Sequence, residues 1–496
     1  MSDITQTHEF EGFWWLPDEE DAELPAPEKR LAGKLTISDG WGTLEVLGNF
    51  GHEVLGESET ETVFSPFPSG QERIVGLAST GECITLLRTH VTASSMRFPG
   101  VATTSYKAHA TLVGAWVEKD QPVTFDEFSI CTSDLDTWVG VSGFHQELIG
   151  SEDEDTGRFV VTQVKIEFSP PEPVEIPVGN GNSARIDFSF SSPGMPPVTT
   201  EAGVSQSARL YYRFSDTTEL DQVFATIKQL RNFLSLAVGR QVAVLSVIAY
   251  KDDFVDPRTN AREPIRIFYP LSHNREPTAR PLHPSEMLFT LGQAEPNIGA
   301  VLSAWLAKQE DLAPVFDLYF GTLYHPDLFL DLKFLLNAQA LETYDFRRRD
   351  PHELSRDEHA QRMTEVLAGA PEQWREWLTM RLTGSNYRTL DQRMRDILAE
   401  CPAVSAKIVG ATPDDVTRFV RAFKNSRNYY THYNEALEDR AAEGAELYAL
   451  TLQLQALIEM SILRELGFSC DAVDQILDRV QRYARIRHFH SEFAED

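Results

Sequence analysis

The sequence predicts an α+β multidomain protein: a β-rich N-terminal region, sandwich-like or barrel-like, followed by an all-α helical bundle. Three observations carry this. Residues up to about 280 fall in short runs of alternating apolar and polar residues, broken by Gly, Asn, Asp and Pro. Near Pro281 the pattern changes, and apolar residues then recur at three- and four-residue spacing almost to the end. A length of 496 residues also exceeds one ordinary core. The boundaries expected are 8–280 for the β-rich region, with room for two subdomains and a helix near 218–237, and 281–490 for the helices.

Taken in order, "GKLTISDGWGTLEVLG", "ERIVGLASTGECITLLRTH" and "TSYKAHATLVGAWV" alternate as half-buried strands do, with turn residues between them. "GRFVVTQVKIEFSP", "ARIDFSFSSP" and "SARLYYRFSD" continue the pattern. "TTELDQVFATIKQLRNFLSLAVG" then opens with a Thr cap and carries Leu220, Val223, Phe224, Ile227, Leu230 and Leu234 at helical spacing. "VAVLSVIAY" is a final strand. After the join, "HPDLFLDLKFLLNAQALETYDFRRR" is a long amphipathic helix, followed by "PHELSRDEHAQRMTEVLAG", "EQWREWLTMRL", "TLDQRMRDILAEC" and "DDVTRFVRAFKNSRNYYTHY". The last long helix, "GAELYALTLQLQALIEMSILRELG", ends in a Gly suited to a C-cap.

Hydrophobic content of 42% and charged content of 24% are those of a globular protein, and no apolar run is long enough to span a membrane. The opening "MSDITQTHEFEGFWW" lacks the basic flank and apolar core of a signal peptide, so a cytoplasmic protein with no membrane partner is expected. Cys83, Cys131, Cys401 and Cys470 stand singly, without a CxxC pair; they read as four packing cysteines rather than a disulfide framework or a zinc site.

The net charge of −30 is unevenly spread. Residues 341–496 hold 21 Lys+Arg against 27 Asp+Glu, and the preceding 340 residues carry the remaining −24. Phosphates are repelled from such a chain at long range, so any nucleic-acid chemistry must sit on a local basic patch. One such patch exists. Between Asp415 and Glu435 there is no carboxylate, while Arg418, Arg421, Lys424, Arg427 and His432 fall inside the gap.

Within it, Arg427, Asn428 and His432 form R-N-x-x-x-H. On a helix Asn428 and His432 share a face, with Arg427 one step round. A guanidinium grips phosphate oxygens in fork geometry, an imidazole exchanges protons near neutral pH, and an amide can orient either. The carboxylate cluster of a magnesium nuclease is missing from the stretch. If this is a nuclease, it is expected to work without metal or cofactor on RNA, with the 2′-hydroxyl attacking the adjacent phosphorus. The bare R-x4-H spacing is weak, since it recurs at Arg347–His352 and Arg485–His490. The plain alternative, a helix end whose cations satisfy the dipole, stays open on these residues alone.

The C-terminal helices resemble the HEPN superfamily, whose hallmark is R-x4–6-H, commonly with Asn after Arg. "FLLNAQALETYDFRR" is similar to its early helix bearing a Glu, here Glu342. Further upstream, "FEGFWWLPDEEDAELPAPEKRLAGKLTISDGWGTLEVLG", "IVGLASTGECITLLRT" and "FDEFSICTSDLDTWVG" resemble segments of the ApeA-type N-terminal domain. Together these span roughly residues 8–490 and identify the chain as similar to ApeA-like anti-phage defence proteins.

That resemblance implies a HEPN helical bundle acting as an endoribonuclease, in which two protomers bring both motifs to one composite cleft. Arg427, Asn428 and His432 are then the catalytic residues, with Glu342 supporting Arg427. Arg418, Arg421, Lys424 and Tyr433 are candidates for RNA contact, although tyrosines at such positions more often pack. Partners implied are an RNA substrate, with transfer RNA the candidate by analogy, a second copy or higher oligomer, and a phage-derived trigger. The β-rich half is expected to be a sensor or regulatory region that holds the ribonuclease inactive until infection.

The many aromatics of the first half (Phe10, Trp14, Trp41 and Trp138 among them) read as core rather than a ligand groove. "SDLD" at Ser133–Asp136 lacks the upstream Gly-Ser segment of a nucleotidyltransferase, and no Walker A sequence is present. The alternative function is a HEPN module without catalysis, serving as an RNA-binding or dimerisation platform. A receptor role for the β-rich half, with the helices as mere structure, finds no support.

Overall fold

The computed structural model describes residues 4–17, 25–57, 62–95, 99–152, 156–192, 203–274, 280 and 282–492. Residues 18–24 of the first motif and Pro281 lie outside them. The chain divides into two compact units, Met1–Pro284 and Ser285–Asp496.

The first unit holds sixteen strands among its described residues: β1 (His8–Trp15), β2 (Leu31–Ser38), β3 (Trp41–Leu47), β4 (His52–Glu57), β5 (Thr62–Pro68), β6 (Arg73–Ala78), β7 (Cys83–Ser95), β8 (Thr103–Val113), β9 (Thr124–Thr132), β10 (Phe144–Glu152), β11 (Phe159–Phe168), β12 (Val174–Pro177), β13 (Ser183–Ser191), β14 (Ser205–Glu219), β15 (Val244–Tyr250) and β16 (Ile265–Phe268). Two short ribbons, β4–β5 and β10–β11, stand apart from the main sheet. Twelve strands form one antiparallel sheet in the order β12-β13-β14-β9-β15-β16-β8-β3-β2-β1-β6-β7. Because β8 pairs with β7 as well as β3, the last six strands close on themselves. Of the two β architectures the sequence allowed, the first unit is therefore a closed barrel, with further strands extending from β8 through β16. Closure removes the unpaired edges that an open sheet would expose.

Alternation along the strands fills the barrel. Trp14, Leu35, Leu44, Ile74, Leu86, Tyr106 and Leu112 are fully buried. Gly76 on β6 makes room for the Trp14 indole, which a Cβ there would meet at 2.3 Å. Trp14 and Trp138 are core residues, while the extension is covered by α2 (Leu220–Val238), which packs on β9 and β14.

Local chemistry departs from the sequence reading at the start of α2. The Thr cap is not there: Glu219 is the N-cap residue and makes no side-chain cap bond. Thr217 and Thr218 are still in β14, with Thr218 paired to Phe125 and the Thr217 hydroxyl donating to Asp126 at 2.5 Å. Sheet pairing has outcompeted the cap. The two acids of "SDLD" are structural: Asp134 holds Arg240 at 2.7 Å, and Asp136 accepts from the Ala208 N–H at 2.6 Å. Between them begins the one-turn α1 (Leu135–Val139).

The second unit is helical: α3 (Ile298–Ala307), α4 (Ala313–Leu323), α5 (Leu330–Arg348), α6 (Arg356–Gly369), α7 (Glu372–Leu382), α8 (Leu390–Glu400), α9 (Pro402–Val409), α10 (Pro413–His432), α11 (Gly444–Glu465), α12 (Cys470–Arg479) and α13 (Gln481–Glu492). The whole protein is thus α+β and multidomain. α11 is the central helix, with Leu454, Leu457, Ile458 and Met460 buried, and it packs on α5, α9 and α13. It stops at Gly467, whose φ of +99° suits glycine, while the Phe468 N–H returns to the Leu463 carbonyl. Among the described residues no helix is long and apolar enough to cross a membrane.

The cysteine reading needs a correction. Cys401 and Cys470 form a disulfide, although 69 residues separate them, while Cys83 and Cys131 are free. The tight α8–α9 corner and the start of α12 bring the two thiols together, a proximity no local spacing announces.

Candidate functional site

The site is built on α10. Thr412 and Asp415 form a capping box, and Pro413 occupies the first turn, where a missing N–H is harmless. Phe419, Val420, Phe423 and Ser426 form the buried stripe. The small Ser426 lets another segment come close: its hydroxyl oxygen accepts the Ala442 N–H at 2.8 Å, and the Tyr430 hydroxyl donates to the Ala442 carbonyl at 2.9 Å. Burial pushes the Tyr430 phenol up to about 12, so it stays a protonated donor. The helix ends at Tyr433, whose φ of 47° and ψ of 45° put a bulky residue in the left-handed region.

Two faces of α10 carry the candidate residues. Arg421, Lys424, Asn428 and His432 follow one another at three- and four-residue steps and so share one face. Arg421, Lys424 and His432 are exposed, and among the described residues none of the three makes an ion pair or side-chain hydrogen bond. Arg418 differs, because it is paired with Asp415 one turn back; the cation nearest the helix start is neutralised locally. Tyr433 is 61% exposed and contacts Tyr429 edge-on, at 5.6 Å between ring centroids. It is open enough to meet a base, whereas Tyr430 is held in the packing.

Arg427 points the other way, into a cleft of about 730 Å³ lined by residues of α5, α8 and α10. Glu342 on α5 accepts from it twice, Nε to Oε1 at 2.9 Å and Nη2 to Oε2 at 3.2 Å. This two-point pairing uses one edge of the guanidinium fork. Nη1 is left on the side of Asn428, whose Oδ1 lies 3.4 Å away. His432 does not line the cleft, and no hydrogen bond joins it to Arg427 among the described residues. One chain therefore gathers Glu342, Arg427 and Asn428, and leaves His432 outside.

Three residues of this neighbourhood stand outside the site that the sequence singles out. Asp345, one turn beyond Glu342, is buried and holds both Arg349 and Arg393, the latter at 2.8 Å. Arg393 on α8 also donates to the Glu342 carbonyl, and Arg349 reaches Glu400. Alternating carboxylates on α5 thus tie α10 and α8 to the same helix. The spacing in "ETYD" was the available signal, because Glu342 and Asp345 face one side of a helix. Of the other R-x4-H matches, Arg347 is at the end of α5 and donates to the Asp311 carbonyl, while the His490 side chain lies outside the described residues.

A family model for the ApeA N-terminal domain 1 matches residues 9–305, and one for the Apea-like HEPN domain matches residues 335–472. No curated protein matches the chain, and no solved structure does either. The HEPN match spans α5 to the start of α12 and includes every residue of the candidate site. An ApeA domain followed by a HEPN domain fits an anti-phage HEPN protein. The chain belongs to the ApeA family, pairing its N-terminal domain with an Apea-like HEPN domain.

Proposed function

We propose that this protein is an anti-phage endoribonuclease whose active site forms when two HEPN domains pair. The single observation that carries this reading is the split of its motif: Arg427 is held in the cleft by Glu342, while His432 sits unengaged on the exposed face of the same helix. A half-site of this kind has too few groups to act as acid, base and charge stabiliser at once. A second copy supplies the missing ones.

In the paired site one His432 imidazole takes the proton of the RNA 2′-hydroxyl. The 2′-oxygen attacks phosphorus, the P–O5′ bond breaks, and an imidazolium from the other copy protonates the departing 5′-oxygen. The products are a 2′,3′-cyclic phosphate and a 5′-hydroxyl end. Arg427 steadies the charge building on the phosphoryl oxygens through Nη1, the nitrogen that Glu342 leaves unused, and Asn428 links that nitrogen to the His432 face. The scheme uses no metal, and the carboxylate that lines the cleft beside Arg427, Glu342, is taken up by that arginine. Arg421, Lys424 and Tyr433 extend the RNA track along the exposed face. The ApeA region restrains the HEPN domain in the cytoplasm until a phage product appears, and transfer RNA is the candidate target. Cleavage of such RNA halts the infected cell, an abortive outcome.

Mixing copies tests the composite site. Wild type co-expressed with an excess of the His432→Ala chain forms mixed dimers that hold one His432 only, so phage protection should fall well below that of wild type alone. If mixed dimers form and protection is undiminished, the two motifs do not share a site. The family's non-catalytic reading, an RNA-binding or dimerisation platform, then takes its place if the single variants also protect fully.

A further inference from the structure

Between α5 and α8 the chain leaves the bundle as a two-helix arm, α6 and α7. Neither helix has a buried residue. Its neck is firm: Asn386 is buried and clamps Leu354 from both sides, its Oδ1 accepting the N–H at 3.0 Å and its Nδ2 donating to the carbonyl at 2.9 Å. The Glu353 N–H donates to the Asn386 carbonyl and the Arg388 N–H to that of Pro351. α6 starts with a capping box from Ser355 and Glu358.

The surface so presented is unlike an ordinary solvated helix. Trp374, Trp377 and Arg381 recur at i, i+3 and i+7, one face of α7, while Glu372 and Glu376 fall on the opposite face. Trp374 is 51% exposed, Trp377 49% and Met380, beside it, 65%. The two indoles meet edge-on at 6.2 Å, and the Arg381 guanidinium lies 6.0 Å from the Trp377 ring. Tryptophan, methionine and arginine are the residues enriched at the centres of protein interfaces. Helices of 14 and 11 residues gain little stability alone and normally bury one face.

We propose that this stripe is where a second copy of the chain docks. The inference rests on the composite-site reading above and names the surface that builds it. Two features of the arm select a second copy. A chain with net charge −30 repels its own kind, so contact between two copies is favoured where charge is balanced, and the arm carries four arginines against five carboxylates with the stripe itself free of acids. The same balance disfavours RNA, which needs an electropositive track. The neck also grows from the C-terminal end of α5 and the N-terminal end of α8, the helices that carry Glu342 and Arg393. Phe346, Arg347 and Arg393, at the two roots of the neck, line the Arg427 cleft, so a copy seated on the arm is brought to the side of the half-site that lacks its histidine. By symmetry each copy offers its arm to the other, doubling a contact too small to hold alone.

The test is the association state of the full-length chain, by sedimentation over a range of concentrations, for wild type, Trp374→Ala with Trp377→Ala, and Met380→Glu. All three side chains are about half exposed or more, so folding should persist, and circular dichroism checks it. Wild type should sediment as two copies. Both variants should remain folded and associate at least about tenfold more weakly. A folded variant that dimerises as wild type does overturns the arm and leaves the composite site standing. A monomeric wild type overturns both. Unchanged dimers that have lost affinity for single-stranded RNA would assign the stripe to nucleic acid instead.

Discussion

Glu342 and Arg427 stand 85 residues apart in the chain and meet in a two-point ion pair, Oε1 to Nε at 2.9 Å and Oε2 to Nη2 at 3.2 Å. The pair fixes one edge of the guanidinium and, in the composite site proposed, leaves Nη1 to meet the substrate. Glu342→Gln keeps an acceptor but loses the charge, so the fork becomes free to turn. Charge-assisted hydrogen bonds are worth about 1.5–3 kcal/mol, and RNA cleavage should fall by about 10- to 100-fold. Arg427→Lys should do no better than Arg427→Ala, because an ammonium cannot fill both positions. Single-turnover cleavage rates check both.

The exposed face of α10 makes a separate prediction about binding. Arg421 and Lys424 are not neutralised by a neighbour among the described residues, whereas Arg418 is. Arg421→Ala with Lys424→Ala should weaken RNA binding and make its salt dependence shallower by about 0.7 per charge removed. Arg418→Ala should change the slope little. Binding isotherms at several salt concentrations distinguish the two.

Tyr433 occupies a left-handed conformation that suits glycine far better. Tyr433→Gly should raise stability by about 0.5–1 kcal/mol, read by chemical denaturation. If its ring also meets a base, the same change should lower RNA affinity while it stabilises the fold. Stability and affinity moving in opposite directions is the signature of strain kept for function.

The disulfide between Cys401 and Cys470 closes a long loop around α9, α10 and α11. Restricting the unfolded chain in this way stabilises by about 2–4 kcal/mol. Reductant, or Cys401→Ser, should lower the thermal midpoint of the helical unit by several degrees. An unchanged midpoint would show that the two thiols are not joined in solution.

Much of the architecture was legible because its signals are local. Alternation in residues such as "TSYKAHATLVGAWV" marks strands, and the three- and four-residue apolar spacing of "DDVTRFVRAFKNSRNYYTHY" marks the helix that carries the motif. Barrel closure was not legible, since it depends on β8 meeting both β3 and β7. Glu342 beside Arg427 was expected only through the family resemblance, and the Asp345 pairing was not expected at all, since its partner Arg393 comes from a helix 48 residues away. The Cys401–Cys470 pair escaped for that reason too. Thr217 and Thr218 misled in the other direction: a cap residue adjacent to a strand was taken by the strand.

The most direct measurement compares phage-infected cells expressing wild type, His432→Ala and Arg427→Ala, with all three proteins shown to be folded and dimeric, by plating phage and sequencing the cut RNA ends. His432 is exposed, so stability should move by no more than about 0.5 kcal/mol for His432→Ala. The account predicts protection and new 2′,3′-cyclic phosphate ends with wild type, and neither with the variants. Variants that protect cells and cut RNA as wild type does would contradict it, leaving the stretch from Arg427 to His432 as the end of a helix.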